Sequence, residues 1–370
     1  MTKPQSTLPM LDLPQLTVRG TPEAMGRQYG RHLRVLIGAF VANRIAAVET
    51  YLHERGHTGT DPLFAAGAAC LEAARGFDPA GHAEHCGIAE GAGIDPVVLF
   101  TAANMTDVRD VIILPGDPLV VDDEGCTATL LPPAITATGT ALQGQTWDLN
   151  GPDVDYVIAL HRLPDDGPET WTVTCAGCQT LMGMNAHGLA VGTTNLKTRG
   201  AQVGVPYLSV LHHALAQPTL AAASAIVEHA PVAGAHSYWI GDSHRAVEWE
   251  RTPQSAFLRS TDGGPLARAN HCLFPANIAR ETDLSPSTHA RMARAEALLA
   301  ASDQHTVASL KALFADRGDG RLSINRFVED QSGATTNAVV ICNPSAREFW
   351  ACRGPADRGA WVRLSFSKNL

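Results

Sequence analysis

The chain has 370 residues, of which 45% are hydrophobic and only 18% charged, enough apolar material for a large buried core. A formal charge of −9 argues against nucleic acid as principal partner, and eight cysteines in so long a chain do not make a disulfide framework. No apolar run approaches the length needed to cross a membrane, and the stretch Met1 to Thr7 lacks a signal-peptide hydrophobic segment; a cytoplasmic protein without a membrane partner is expected.

The first hundred residues read as helices. Thr21 can cap a helix with Pro22 and Glu23 in its first turn. Met25, Tyr29, Leu33, Leu36, Phe40 and the run from Val41 to Ile45 follow at helical spacing, predicting one long amphipathic helix ending near Leu52. Further helices are predicted over 63–75, 80–91 and 96–108. A loop rich in Pro, Gly and Asp, residues 115–124, has the composition of exposed backbone and leads to Gly125-Cys126-Thr127.

Beyond that point the texture changes to hairpins. Residues 126–131 are expected to turn through 136–140 and return as 141–148. Opposite residues of an antiparallel pair sum to a constant, and a midpoint at 137 puts Asp148 beside Cys126. Pro132 and Pro133 interrupt the first strand and leave that register open by a residue or two. Later hairpins are predicted for 154–163 with 169–175, 181–184 with 188–193, 237–240 with 246–250, and 337–342 with 348–353. Helices fit 205–216, 220–229, 286–301 and 307–315. Two groups of strands with helices between them suit two sheets sandwiched between helical layers. Cys175-Ala-Gly-Cys178 reads as two small half-buried residues, and neither it nor the scattered histidines gives a convincing ligand set, so no metal is expected.

A cysteine freed at its own nitrogen carries nucleophile and base on one residue: the thiol attacks and the α-amine moves the proton near neutral pH. Glycine before it lets the sulfur approach the Gly125 carbonyl and tolerates the backbone that an N-to-S acyl shift requires. Gly125-Cys126 therefore reads as a cleavage junction.

Glu124-Gly-Cys-Thr127 with Ala141-Leu-Gln-Gly-Gln-Thr-Trp-Asp148 closely resembles the isopenicillin N acyltransferase (acyl-CoA:6-aminopenicillanic acid acyltransferase) family of cysteine N-terminal-nucleophile hydrolases. The resemblance continues in order through Gly183-Met-Asn-Ala-His-Gly-Leu-Ala-Val191, Gly204-Val-Pro206, Ala269-Asn-His-Cys-Leu273, Leu322-Ser-Ile-Asn-Arg326 and Ser332-Gly-Ala-Thr335. Upstream, Gly20-Thr-Pro-Glu-Ala-Met-Gly26 and Gly87-Ile-Ala-Glu-Gly-Ala-Gly93 are similar to the family's pro-segment.

The resemblance implies an α+β chain with the four-layer αββα sandwich of N-terminal-nucleophile enzymes. It implies a helical segment 1–125 retained after cleavage and a catalytic segment 126–370, forming one globular unit. Cys126 is then the nucleophile, Asp148 the group that orients the α-amine, and Asn270 the donor to the tetrahedral oxyanion through its NH2. Gln145, Arg326 and Ser332 are weaker substrate-binding candidates. One departure stands out: the family's Ser-Arg before Gly-Ala-Thr is Gln331-Ser332 here, so a catalytic cation is missing and Arg326 is the nearest replacement in sequence. The implied activity is hydrolysis, or acyl transfer, of a small non-peptide amide through a thioester, without cofactor. The alternatives are an N-acyltransferase using a coenzyme A thioester as co-substrate, and a non-catalytic small-molecule-binding member of the fold.

Overall fold

The computed structural model describes residues 10–113, 125–282, 284–285, 287–331 and 333–367. The expectations for the loop 115–124 and for Ser332 lie outside those residues.

A short strand, β1 (Gln15–Gly20), precedes the helices. The Thr21 side chain accepts from the Ala24 N–H and, with Pro22 in the first turn, starts α1 (Pro22–His32) as its sequence predicts. The long helix expected from here to Leu52 is broken, because Leu33 leaves helical geometry and α2 (Arg34–Glu54) begins anew. There follow α3 (Asp61–Phe77), α4 (Pro79–Ala92), α5 (Pro96–Ala103) and α6 (Met105–Ile113). A single helix was expected over the last two. Asn104 divides them, its side-chain amide donating back to the Phe100 carbonyl at 3.1 Å. By length and composition α2 is also apolar enough to cross a membrane, contrary to the expectation that no run approaches this. In the fold it buries Ile37, Phe40, Val48 and Leu52, and its Arg44 pairs with Asp153 at 3.1 Å.

The strands after the junction are β2 (Gly125–Leu131), β3 (Leu142–Asn150), β4 (Val157–Pro164), β5 (Thr170–Cys175), β6 (Met182–Asn185) and β7 (Ala190–Leu196). Next come α7 (Tyr207–Leu215), α8 (Leu220–His229), β8 (Ala235–Gly241), β9 (Ala246–Thr252), β10 (Ser255–Ser260) and β11 (Leu266–Arg268). The short α9 (Pro275–Ile278), α10 (Ser287–Ala300), α11 (Val307–Phe314), β12 (Ala334–Asn343), β13 (Glu348–Arg353) and β14 (Val362–Ser365) complete the order. Every predicted hairpin forms. Strands β1, β10, β11 and β14 were not predicted.

The strands make an eight-stranded sheet, ordered β1-β4-β5-β6-β7-β8-β9-β10, and a six-stranded sheet, ordered β11-β2-β3-β12-β13-β14. Their inner faces share one core, in which Ala128, Leu130 and Val340 of one sheet join Val173, Met182 and Trp239 of the other. Residues on the opposite faces meet helices. Val191, Tyr238 and Ile240 pack under α7 and α8, and Leu131, Val339 and Ile341 under α10 and α11. This is the αββα sandwich, an α+β fold. Burial on both faces explains why β2 reads as a continuous run without alternation. It ends where Pro132 can give no N–H to the ladder.

Two local expectations are corrected here. Cys175 and Cys178 are fully buried, not half-buried; their carbonyls lie 3.1 and 3.2 Å from the Tyr29 hydroxyl, around which the turn is wrapped. Burial, with Asp153 nearby, pushes the Cys178 thiol up to about 12, so it stays protonated. Gln145 is not at a binding surface. It is buried between the sheets, accepting from the Trp239 indole and donating to the Thr193 carbonyl, both at 2.5 Å. An amide engaged on both ends is a tie between layers.

Candidate active site

Strands β2 and β3 pair with Gly125 opposite Asp148 and Cys126 opposite Trp147. The hairpin lies one residue from the midpoint register, within the margin left open, so the carboxylate faces the residue on the upstream side of the junction. Cys126 is 6% exposed and lines a small, partly open cavity. The walls come from both sheets and from the helical segment: Asp148 and Leu149, Thr193 and Asn195, Tyr207, His236 and Asn270, with Thr106 from α6.

Asn270 follows β11 and is held by α10, whose Thr288 hydroxyl accepts the Asn270 N–H at 2.8 Å. Its Oδ1 accepts the backbone N–H of Cys126 at 2.8 Å and a guanidinium hydrogen of Arg291 at 2.9 Å. Its NH2 donates to the Asn195 carbonyl at 2.9 Å. These partners fix the amide's orientation, with oxygen toward the Cys126 nitrogen and one of two amide hydrogens already engaged. The side chain expected to serve the oxyanion is, in this arrangement, a clamp on the nitrogen.

Arg291 is the residue that sequence analysis missed. It is fully buried on α10, where it donates to the Cys126 carbonyl, to Thr127 Oγ1 at 3.1 Å, to Asn270 Oδ1, and to Ser287 Oγ at 3.2 Å. Burial lowers its proton affinity, against the pull of Asp148, to about 10, so it is a cation at neutral pH. A signal was present. Ser287, Arg291, Ala295 and Leu299 form one buried stripe at a spacing of four, and an arginine on a core stripe needs buried acceptors.

Arg326 is also buried. A Cβ built on Gly125 would lie 2.8 Å from an Arg326 guanidinium nitrogen, 3.1 Å from Asp148 Oδ2 and 3.2 Å from Arg291. Two guanidiniums and a carboxylate thus converge on the junction glycine, which has room for no side chain. The cation absent at Gln331-Ser332 has two counterparts here, one from α10 and one from the turn before β12.

Asp148 accepts from the Thr336 hydroxyl at 2.8 Å through Oδ1, while its buried Oδ2 has no hydrogen-bond partner among the described residues. Burial raises its proton affinity above the ordinary carboxylate value; Arg291, Arg326 and the hydrogen bond from Thr336 pull the other way without cancelling it. The sign of the pH effect follows. If the ionised carboxylate is required, activity is present above this raised value and falls as pH drops through it, earlier than for an exposed aspartate. Turnover by wild type should show that acid limb, and Asp148→Asn should be weakly active with no limb in the same range. An identical limb in the variant would assign the titration elsewhere.

A second, small cavity shares Trp147, Leu149, Leu181 and Tyr207 with the first and continues past Phe40, Ala103 and Leu208 to the Arg44–Asp153 pair. Among the described residues no three His, Cys, Asp or Glu side chains gather as a metal site would require.

The family model described as acyl-coenzyme A:6-aminopenicillanic acid acyl-transferase matches residues 136–357, more than half of the chain. The chain belongs to this family. Membership places it among acyl-transfer enzymes, and the match begins ten residues after Cys126. No curated protein sequence matches the chain. Among solved structures this acyltransferase-family chain is similar to a mutant of conjugated bile acid hydrolase from Clostridium perfringens, at 13% identity and TM-score 0.42, over 66% of this chain and 97% of that one. It is similar to the Caenorhabditis elegans ortholog of N-acylethanolamine-hydrolyzing acid amidase at 12% and 0.46, over 65% and 100%. For penicillin V acylase from Agrobacterium tumefaciens the values are 10% and 0.43, over 65% and 86%.

Proposed function

We propose that this chain is a cysteine N-terminal-nucleophile enzyme, activated by its own cleavage at Gly125-Cys126, that hydrolyses a small non-peptide amide through a thioester on Cys126. The observation that carries this reading is the setting of the Cys126 nitrogen. It is clamped by Asn270 in a cavity where an unpartnered Asp148 oxygen and two buried arginines surround the preceding glycine.

In the cleavage step, the Cys126 sulfur attacks the Gly125 carbonyl carbon, the carbon–nitrogen bond breaks, and the thiol proton ends on the departing nitrogen. Water then hydrolyses the resulting thioester, leaving a Gly125 carboxylate, a free thiol and a free α-amine. Arg291, bonded to the Cys126 carbonyl, keeps the residue in place while this occurs. The new amine retains Asn270 Oδ1 and gains Asp148 Oδ2 as acceptors. The nearby guanidiniums disfavour its protonated form, which suits a base near neutral pH.

In turnover, the same sulfur attacks the substrate amide carbon and the amine relays the proton to the leaving nitrogen. Water adds to the thioester and releases the acid. An amine in place of water gives acyl transfer through the same intermediate, with a coenzyme A thioester as the donor the family name suggests. Hydrolysis is the default because water is always present.

The test is the protein's own covalent state. Purified wild type should separate under denaturing conditions into fragments of 125 and 245 residues (370 less 125), the larger beginning Cys126-Thr127-Ala128-Thr129. Cys126→Ala should remain full length. Wild type that stays intact by mass while hydrolysing amides would defeat the activation step, and an active Cys126→Ala would defeat the nucleophile.

A further inference from the structure

Across the cavity from β2 lies a buried pair that the chemistry above does not use. His236, second residue of β8, is 1% exposed and lines the cavity with Cys126. Its Nε2 is 2.7 Å from Asp107 Oδ1, and its ring lies on Tyr207, with centroids 4.6 Å apart and planes within 23°. Asp107 is equally buried on α6, upstream of the junction, and its Oδ2 accepts the Tyr207 N–H at 2.8 Å. A Cβ on Gly234 would collide with the Asp107 carboxylate, so that position must be glycine for the pair to form. The other imidazole nitrogen, Nδ1, is buried and has no hydrogen-bond partner among the described residues.

A carboxylate can only accept, and Asp107 accepts on both oxygens. In its neutral form the imidazole it holds therefore carries its hydrogen on Nε2, which leaves Nδ1 a lone-pair acceptor. A buried acceptor left unsatisfied is costly, and such groups in a ligand cavity serve to recognise what fills it. We infer that His236 is a specificity-determining residue, whose Nδ1 accepts a hydrogen bond from an O–H or N–H carried by the substrate in addition to its scissile amide. Asp107 is the positioning residue that sets the tautomer. The substrate class is then an amide with one further hydrogen-bond donor within the cavity. This inference rests on the reading of the Cys126 cavity as the acyl-transfer site.

The design predicts an inversion. In Asp107→Asn, the amide oxygen keeps the Tyr207 N–H and the amide NH2 faces Nε2. That forces the hydrogen onto Nδ1 and turns the acceptor into a donor.

Two measurements on the full chain test this. Nitrogen NMR of histidine-labelled protein, with His236 assigned by its loss in His236→Phe, should find the Nε2–H tautomer in wild type and the Nδ1–H tautomer in Asp107→Asn. Turnover is then compared on matched amides in which one hydroxyl is replaced by fluorine, one pair modified on the amine side and one on the acyl side. Wild type should prefer the hydroxyl member of at least one pair by about ten-fold or more in kcat/KM, mostly through KM, and Asp107→Asn should lose or reverse that preference.

An Nδ1–H tautomer in wild type, or rates within about two-fold for both pairs, would overturn the inference. Both results need only wild-type protein, with His236→Phe serving as a spectral marker, so a poorly folding Asp107→Asn does not protect it. If Cys126→Ala is dead and wild type fails to discriminate, this inference alone falls. If wild type turns over no amide, the functional reading falls first, and a wild-type Nδ1–H tautomer would still refute the role given to Asp107.

Discussion

Arg291→Leu should leave a chain that folds poorly and does not cleave. The leucine fills similar space but removes the guanidinium's hydrogen bonds to the Cys126 carbonyl, Thr127 Oγ1 and Asn270 Oδ1, and strips Asp148 of one of its two cations. Breaking a buried charge network by deleting one partner costs about 3–5 kcal/mol, because the remaining groups stay buried without compensation. A markedly lower midpoint in thermal or urea unfolding is therefore expected, together with full-length protein on denaturing gels. Arg291→Lys separates the two effects. It restores the charge and much of the stability, but a compact ammonium cannot span the four acceptors that the planar guanidinium reaches, so cleavage stays slow. An Arg291→Leu protein that unfolds at the wild-type midpoint and matures normally would show that this cluster is incidental.

Loss of the sulfur should have the largest effect on rate. When a nucleophile is removed from a site whose members act together, turnover drops by about 10⁴-fold or more, with the residue left to binding and fixed dipoles. Cys126→Ala should show a drop of that size, assayed as amine released from an amide substrate. Cys126→Ser should fall between the two, since a hydroxyl can form the analogous ester but is the poorer nucleophile near neutral pH. Because both variants are also expected to mature slowly or not at all, the comparison needs a chain begun directly at position 126 and expressed together with residues 1–125. If such an alanine protein keeps more than about a tenth of the wild-type rate, another group attacks the substrate.

Much of this architecture could be read in advance, and the failures share physical causes. Hairpins announced themselves by β-forming runs around turn residues, and each predicted pair is present. Where the reading slipped, local composition carried no mark of the event. The break at Leu33 falls inside an uninterrupted apolar pattern, so periodicity passed over it. Strand β1 buries only Val18 and owes its existence to parallel pairing with β4, about 140 residues away, rather than to alternation. The register of β2 against β3 lies one residue from the midpoint at 137, within the residue or two that Pro132 and Pro133 leave open, because the connection between Leu131 and Leu142 centres between 136 and 137.

The site divides along the same line. Cys126, Asp148 and Asn270 stand in local motifs, and the structure brings all three to one cavity, with Arg326 beside them. Gln145 sits in an equally tempting motif but faces the interlayer core. Arg291 was legible only to someone asking why an arginine lies on the stripe shared by Ala295 and Leu299. The pairing of Asp107 with His236 joins positions 129 residues apart and left no local trace at all.

Strand β1 borders the eight-stranded sheet through its ladder with β4, while Leu11 exchanges backbone hydrogen bonds with Arg358 and Ala360 near the far end of the chain. The leading third of the polypeptide is thus stitched at its outset into material that follows the proposed cleavage site. Severing the chain there would release one amino group and no subunit. Maturation in such a molecule would resemble drawing a single pin from a hinge already welded elsewhere, and the two polypeptides it yields should travel as one particle through any column run without denaturant.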